Sequence, residues 1–292
     1  MRYRFIQAEK AHYPVKALCQ LLAVARSGFY AWCRRSTSAR AQENQWLMTH
    51  IRTCYHASQG RYGSPRIHQE LHAQGVRVGR HRVARLMRLH DLRSVRRPRR
   101  WRAQAAAPAA IDAANTLRRE FAATRPNEKW AGDITYIPTR QGWLYVAVLM
   151  DLYSHRIIGW AMDTQLTATL TLTALEMALR QRQVSAGLLH HSDRGCQYAA
   201  TPYQQRLLAL GIRCSMSRPG NCCDNAVVES FFATLKTELF SGRQSLTHAQ
   251  ARTEIFAYLE GFYNRVRRHS TLGYLSPADF EQRTVDSSSG VH

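Results

Sequence analysis

Residues 129–163 read KWAGDITYIPTRQGWLYVAVLMDLYSHRIIGWAMD. Three runs rich in β-branched, aromatic and aliphatic side chains, Lys129 to Ile137, Trp143 to Asp151 and Arg156 to Met162, are separated only by short turns at Gln141-Gly142 and Ser154-His155. Connections that short join antiparallel neighbours, because a parallel return needs a long crossover. Downstream come a helical run from Leu166 to Gln183, an apolar strand Leu188 to His191, a helix near Pro202 to Leu210, a strand Ile212 to Met216 and a long helix from about Asn225 to Phe240. The order β-β-β-α-β-α-β-α predicts a mixed sheet flanked by helices, an α/β layer fold. One residue does not suit its place. Asp133 interrupts the first strand, although Asp is depleted from strand interiors and a carboxylate there needs a partner.

Upstream of the sheet the pattern is helical. From Tyr13 to Arg35 an apolar-periodic stretch (Val15, Leu18, Leu21, Leu22), a break and a second run predict helix, turn, helix, with Pro14 near the first helical position. Further helices are expected over Gln42 to Tyr55, Pro65 to Gln74 with Ser64 as N-cap, and His81 to His90, with turns at Gly60 to Pro65 and Gly75 to Gly79. The front therefore reads as two helix-turn-helix-like units, 1–40 and 41–95. A basic then Ala/Pro-rich linker over 96–120 leads to the sheet-bearing domain at 121–285 and a frayed tail at 286–292.

The 292 residues carry 41 Lys and Arg against 20 Asp and Glu, a net charge of +21. Residues 1–110 hold 22 of the basic and 4 of the acidic side chains, so nearly all the excess sits on the helical front. A single basic cluster is as readily a solvated face. An arginine-dominated excess on this scale points to a polyanion, because neutralising phosphates releases counterions and guanidinium groups match phosphate and guanine geometry. The Arg density from His81 to Arg93 makes DNA contact the expectation there, against simple three-helix packing. No window approaches 18 apolar residues and the start lacks an apolar signal region, so a cytoplasmic, nucleoid-associated protein is expected. Seven cysteines without a C-x-x-C pair indicate neither a disulfide framework nor a zinc site.

Three carboxylates stand out. Besides Asp133, Asp193 follows the Leu188 to His191 strand at its carboxyl end, where α/β sheets commonly carry ligands, and Glu229 lies on the helix beginning near Asn225. Singly they read as a strand-edge Asp, a turn cap and a surface Glu. Together they offer the hard oxygen ligands that Mg²⁺ favours, and two such ions can stabilise the attacking and leaving oxygens of a phosphoryl displacement. Thirty-five residues separate Asp193 from Glu229, and Lys236 lies seven beyond Glu229, which returns it to the same helix face. Asp151 and Asp163 read as turn caps, Asp224 as an acid favouring the helix dipole, His190 and His191 as packing or hydrogen-bonding groups, and Cys222-Cys223 as structural.

The spacing, with the words WAGDITY, HSDRGCQY, DNAVVESFFATLKTE, YNRVRRHSTLGYLSPADF and the RYGSPRI segment at Arg61 to Ile67, resembles the D-D-E recombinase superfamily of transposases and retroviral integrases. Within it the chain resembles the OrfB product of insertion sequence three family transposases. The resemblance implies an RNase H-like catalytic domain and two Mg²⁺ ions, with Mn²⁺ able to substitute. Asp133 would bridge both ions, Asp193 and Glu229 would bind one each, Lys236 would contact DNA near the reacting phosphate, and His191, Asn225 and Ser230 would support the acids. It further implies nicking and strand transfer at element ends, double-stranded DNA as end and target, a homo-oligomer, and an upstream OrfA product or fusion. The expected DNA contacts are Arg80, Arg82, Arg85, Arg96, Arg97, Arg99 and Arg100 in the front and Arg265, Arg267 and Arg268 in the segment from Tyr263 to His269. A metal nuclease that cuts without joining and a non-catalytic DNA-binding protein are the competing functions.

Overall fold

The computed structural model describes residues 1–35, 38–95, 114–184, 186–218, 222–242 and 245–289. The helical front comprises α1 (Arg2–Glu9), α2 (Val15–Leu21), α3 (Arg26–Arg34), α4 (Ala39–Ala57), α5 (Ser64–Ala73) and α6 (Arg80–Leu89). The rest runs β1 (Lys129–Thr139), β2 (Gly142–Asp151), β3 (Arg156–Asp163), α7 (Ala168–Gln181), β4 (Leu189–Ser192), α8 (Cys196–Ala199), α9 (Thr201–Ala209), β5 (Arg213–Met216), α10 (Ala226–Phe240), α11 (His248–Phe256) and α12 (Pro277–Ser289). A π-helical segment, Ala257–Tyr263, continues α11.

The sheet order is β3-β2-β1-β4-β5, antiparallel through the first three strands and parallel where β4 joins β1 and β5 joins β4. The short hairpins make the antiparallel half. Helix α7 then carries the chain back across the sheet to lay β4 on the far side of β1. Its path depends on Gly159, where a Cβ would collide with the Ala174 carbonyl oxygen and the Ala178 side chain.

Side chains alternate between two cores, as a sheet covered on both faces requires. Trp130, Ala147, Leu149 and Ile158 pack with α7 and α9 through Leu170, Leu175, Tyr203 and Leu207. Ala131, Val146, Val148 and Met150 pack with Val228, Phe231 and Leu235 of α10 and with Ile255 and Leu259. That second core continues into the front, taking in Leu47, Ile51, Ile67, Leu71 and Val83 from α4 to α6. Helices α1 to α3 close on a separate small cluster of Ile6, Leu18, Cys19 and Phe29.

Several local expectations change. Helix α1 precedes the expected helix-turn-helix, and α4 starts earlier because Ser38 caps it, its Oγ accepting from the Ala41 N–H. Ser64 does not cap α5. Gly63 holds that place in extended conformation, and Ser64 and Pro65 are the first helical residues. The expected helix at Pro202 is preceded by the short α8, and helix α12 runs through Ser289, where a frayed tail was expected. At the end of the expected linker, Leu117 is buried and the Thr116 and Leu117 N–H groups donate to Ser215 Oγ beside β5. Arg96, Arg97, Arg99 and Arg100 lie outside the described residues.

Candidate active site

The parallel pairing of β1 with β4 brings two of the acids together. Trp130 lies opposite His190 and Ala131 opposite His191. Two residues beyond that register on each chain stand Asp133, in β1, and Asp193, just past the end of β4, near enough that the Asp193 charge acts on Asp133. The Asp133 carboxylate accepts from the Ile134 N–H (2.8 Å), and the Asp193 carboxylate accepts from the Gly195 N–H (3.0 Å). The third acid arrives through a tether. Asn225, buried at the N-cap of α10, donates its Nδ2 to the Gly132 carbonyl at 3.0 Å, which pins the start of the helix to β1 next to Asp133. Glu229 follows in the first turn of α10.

Electrostatics mark the three as a unit. Burial raises the Asp133 carboxyl well above its usual range, and the negative charges of Asp193 and Glu229 add to the rise while Lys236 opposes it. Burial likewise raises Asp193 against the Gly195 hydrogen bond, and burial with the Asp193 charge raises Glu229. Lys236, two turns along α10, lies 4.7 Å from the centroid of the Tyr136 ring. Burial lowers its ammonium to about 8, with the Asp133 charge resisting.

All three acids are oxygen donors, and each gains from a neighbouring positive charge, so the donor set fits a hard divalent cation. Among the described residues no three His, Cys, Asp or Glu side chains converge to hold one ion together.

The supporting residues divide. His191 is buried with Nδ1 2.9 Å from Ser215 Oγ and Nε2 3.2 Å from Ser217 Oγ, and burial lowers it to about 4, so it is a neutral strut from β4 to the β5 end. Ser230 is exposed beside Glu229. Tyr198, which the sequence did not single out, buries its hydroxyl beneath the acids. A Cβ on Gly132 would come within 3.2 Å of that oxygen, which has no hydrogen-bond partner among the described residues. Asp151 and Asp163 cap turns as read. Asp151 accepts from the Asn127 and Tyr153 N–H groups, and Asp163 accepts from those of Thr164 and Gln165. Asp224 does more than face a helix dipole. It is fully buried and accepts from Arg218, Arg119 and Asn115, and the Arg218 hydrogen bonds hold its carboxyl far below the usual range. Its one sequence signal is an acid just before the α10 run, which does not distinguish it from a surface acid.

The arginines expected at DNA also divide. Arg80, Arg85 and Arg265 are exposed. Arg82, partly exposed, is tied down on the surface of the front, its Nε donating to Asn44 and its Nη1 pairing with Glu43 at 2.8 Å. Arg267 is buried in the core, where Glu238 takes its Nε and Nη2, so it is a structural cation rather than a surface contact. Arg268 clasps Glu70 of α5 at 2.7 Å and the Tyr274 carbonyl at 3.0 Å, joining the front to the sheet-bearing domain.

Known proteins agree with this architecture. Residues 41–100 match an HTH-like domain family, and residues 123–222 and 210–277 match two integrase core domain families. The chain is 42 % identical over 287 residues to the transposase InsF of insertion sequence IS3A from Escherichia coli (strain K12), covering 98 % of this chain and all of the relative. It is also 42 % identical to an uncharacterised 31 kDa protein of insertion element IS600 from Shigella sonnei, over 91 % of this chain and 98 % of that one. Among solved structures, a simian T-cell lymphotropic virus intasome aligns with a TM-score of 0.46 at 16 % identity, covering 79 % of this chain and 74 % of that one. The HTLV-2 integrase catalytic core in complex with magnesium aligns at 0.42 and 16 % identity, covering 54 % and 97 %. With a helix-turn-helix-like front, an integrase core behind it and a full-length relative at this identity, the chain belongs to the IS3 family of insertion-sequence transposases, enzymes of the polynucleotidyl-transferase type.

Proposed function

We propose that this chain binds the ends of an insertion sequence and carries out Mg²⁺-dependent DNA nicking and strand transfer, with Asp133, Asp193 and Glu229 as the catalytic acids. The observation that supports the reading is that three carboxylates, from β1, the end of β4 and the first turn of α10, are each raised by burial, with the Asp193 and Glu229 charges both acting on Asp133. With two Mg²⁺ ions bound between Asp133 and its partners, the site would supply charge stabilisation to the attacking and leaving oxygens of an in-line displacement at phosphorus. In this reading Asp133 serves both pairs, which the action of both the Asp193 and Glu229 charges on it and the Asn225 tether to Gly132 support. Lys236 holds a positive charge on the same helix face as Glu229, where it can orient a substrate phosphate next to the acids.

The same geometry accepts water as nucleophile for nicking and a freed 3′ hydroxyl for joining, and neither step needs a covalent bond to the protein. Exposed Arg80, Arg85 and Arg265 are the proposed duplex contacts among the described residues. Two element ends must be held together for joining, so we propose a homo-oligomer working in the cytoplasm at the nucleoid, with an upstream OrfA product or fusion as partner. The test is a nicking and strand-joining assay on labelled DNA carrying the element's ends, with Mg²⁺ and the OrfA product present. Glu229→Gln should lower joined product by about a thousandfold, the several kcal/mol of charge stabilisation that metal clamps provide. Wild-type joining rates in that variant would sink the reading.

A further inference from the structure

The segment RYGSPR at Arg61 to Arg66 is not used by the reaction described above, yet it is the chief clasp between the two halves of the molecule. Tyr62 donates its hydroxyl to the Val266 carbonyl and accepts from the Arg268 N–H, and Arg66 Nε donates to the Arg268 carbonyl. Arg61 lies 4.5 Å from the Phe262 ring centroid and 5.3 Å from that of Tyr258. Clasped this way, the segment and α10 leave a solvent-open cleft of about 410 Å³ between them.

One wall of the cleft is the α10 face carrying Ser230, Thr234 and Thr237; the other includes Arg61 and Arg66, with Arg267 and Glu238 also in the lining. Three guanidinium groups thus meet one carboxylate, and Arg267 already takes that carboxylate through two of its nitrogens. Arg66 makes no ion pair among the described residues, and burial and the neighbouring Arg267 charge outweigh the nearby Glu238 charge that favours its ionised form. A partly buried cation beside like charge is stabilised by an anion. The α10 wall begins one residue after Glu229 and runs to Thr237, about 10 Å at 1.5 Å per residue, or roughly three nucleotides of a DNA strand at 3.4 Å each. The chain continues from Val95 into five arginines by Arg102, so its own charge opposes the linker as occupant of a basic cleft.

We propose that this cleft seats backbone phosphates of the DNA strand entering the active site, within about three nucleotides of the reacting phosphate, with Arg66 as the principal cation. The inference rests on the DNA-joining function proposed above. It gives the clasp a purpose: fixing the helical front to the catalytic domain fixes the second wall of a strand-binding channel.

The test measures affinity of the full-length protein for a labelled DNA duplex across a range of salt concentrations, for wild type, Arg66→Gln, Thr234→Glu and a control, Thr253→Glu, at an exposed position on α11. Each phosphate contact contributes about 0.9 to the slope of log affinity against log salt, so Arg66→Gln should flatten the slope by about one and weaken binding several-fold. Thr234→Glu, whose hydroxyl donates only to the Ser230 carbonyl of its own helix, should weaken binding further than Thr253→Glu at the same net charge. Thermal unfolding identifies folded variants, and Thr234→Glu carries the test if Arg66→Gln loosens the clasp. Wild-type slope and affinity in folded Arg66→Gln, with Thr234→Glu no weaker than Thr253→Glu, would overturn the cleft while leaving the function standing. A wild-type protein without salt-dependent DNA binding would overturn both.

Discussion

Helix α10 carries Glu229 in its first turn and Glu238 near its last, and the fold treats the two acids in opposite ways. Glu238 is almost fully buried and fully compensated. It accepts from Arg267 at 2.8 to 3.1 Å and from the Tyr258 hydroxyl at 2.8 Å. Glu229 is half-buried, has no ion-pair partner among the described residues, and is raised by burial and by the Asp193 charge. One helix therefore holds an acid supplied with its counter-charge and an acid left without one. Beside it Asp133 and Asp193 are raised by burial as well, although each accepts a backbone N–H, so charge at this end of the helix is disfavoured where at Glu238 it is matched.

The largest expected effect tests the compensated end. Glu238→Gln strands the Arg267 charge in the core, and removing one partner of a buried ion pair costs about 3–5 kcal/mol. Urea unfolding should show that loss as a lower midpoint with an unchanged slope. Glu229→Gln should leave stability within about 0.5 kcal/mol of wild type or raise it, because it removes a charge that the apo fold disfavours. Equal losses at both positions would break the contrast between the two acids.

This contrast also explains what was legible in the sequence. Asp133 was visible because a strand interior excludes Asp, and Asp193 and Glu229 because strand end, spacing and helix phase are local properties. The hairpins and the crossover helix were legible for the same reason, since turn length and periodicity fix them. Arg267 was not. It stands in one basic run with Arg265 and Arg268, and only the tertiary structure sends the first to Glu238, exposes the second and ties the third to Glu70. Ser64 failed as a cap because the RYGSPR segment enters α5 extended at Gly63, in a geometry set by Tyr62 and Arg66 bonding to the chain two hundred residues on. Asp224 was read only as an acid facing the helix dipole because its partners Arg218, Arg119 and Asn115 come from separate segments.

A middle-sized effect separates the acids from the histidine beneath them. His190 is fully buried, its Nε2 lies 3.0 Å from the Tyr203 hydroxyl, and burial lowers it to about 3. Its folded value lies below its unfolded value, so its contribution to stability is whole above about pH 6.5 and is lost progressively as pH falls from there toward about 3. At pH 5 the loss reaches about 2 kcal/mol, at about 1.4 kcal/mol per pH unit. The raised acids Asp133 and Asp193 have the opposite sign, since a folded value above the unfolded one gains stability as pH falls. Subtracting the pH profile of His190→Gln from that of wild type isolates the histidine. A difference that stays flat between pH 7 and 5 would show that His190 is not held neutral in the fold.

The smallest effect addresses the uncompensated end directly. If Asp133, Asp193 and Glu229 wait for a divalent cation, Mg²⁺ binds the folded chain and not the unfolded one, and stability rises with its concentration. At ten times the dissociation constant the gain is about 1.4 kcal/mol, a few degrees of thermal midpoint for a protein of this size. Asp133→Asn removes the carboxylate shared by both pairs, so it should start at or above the wild-type midpoint without metal and gain nothing when Mg²⁺ is added. Arg82→Gln, which cuts the exposed pair with Glu43, is the control that keeps the full Mg²⁺ response. An Asp133→Asn protein that Mg²⁺ stabilises as much as wild type would place the cation elsewhere. The missing counter-charge at Glu229 would then have to be explained without a metal.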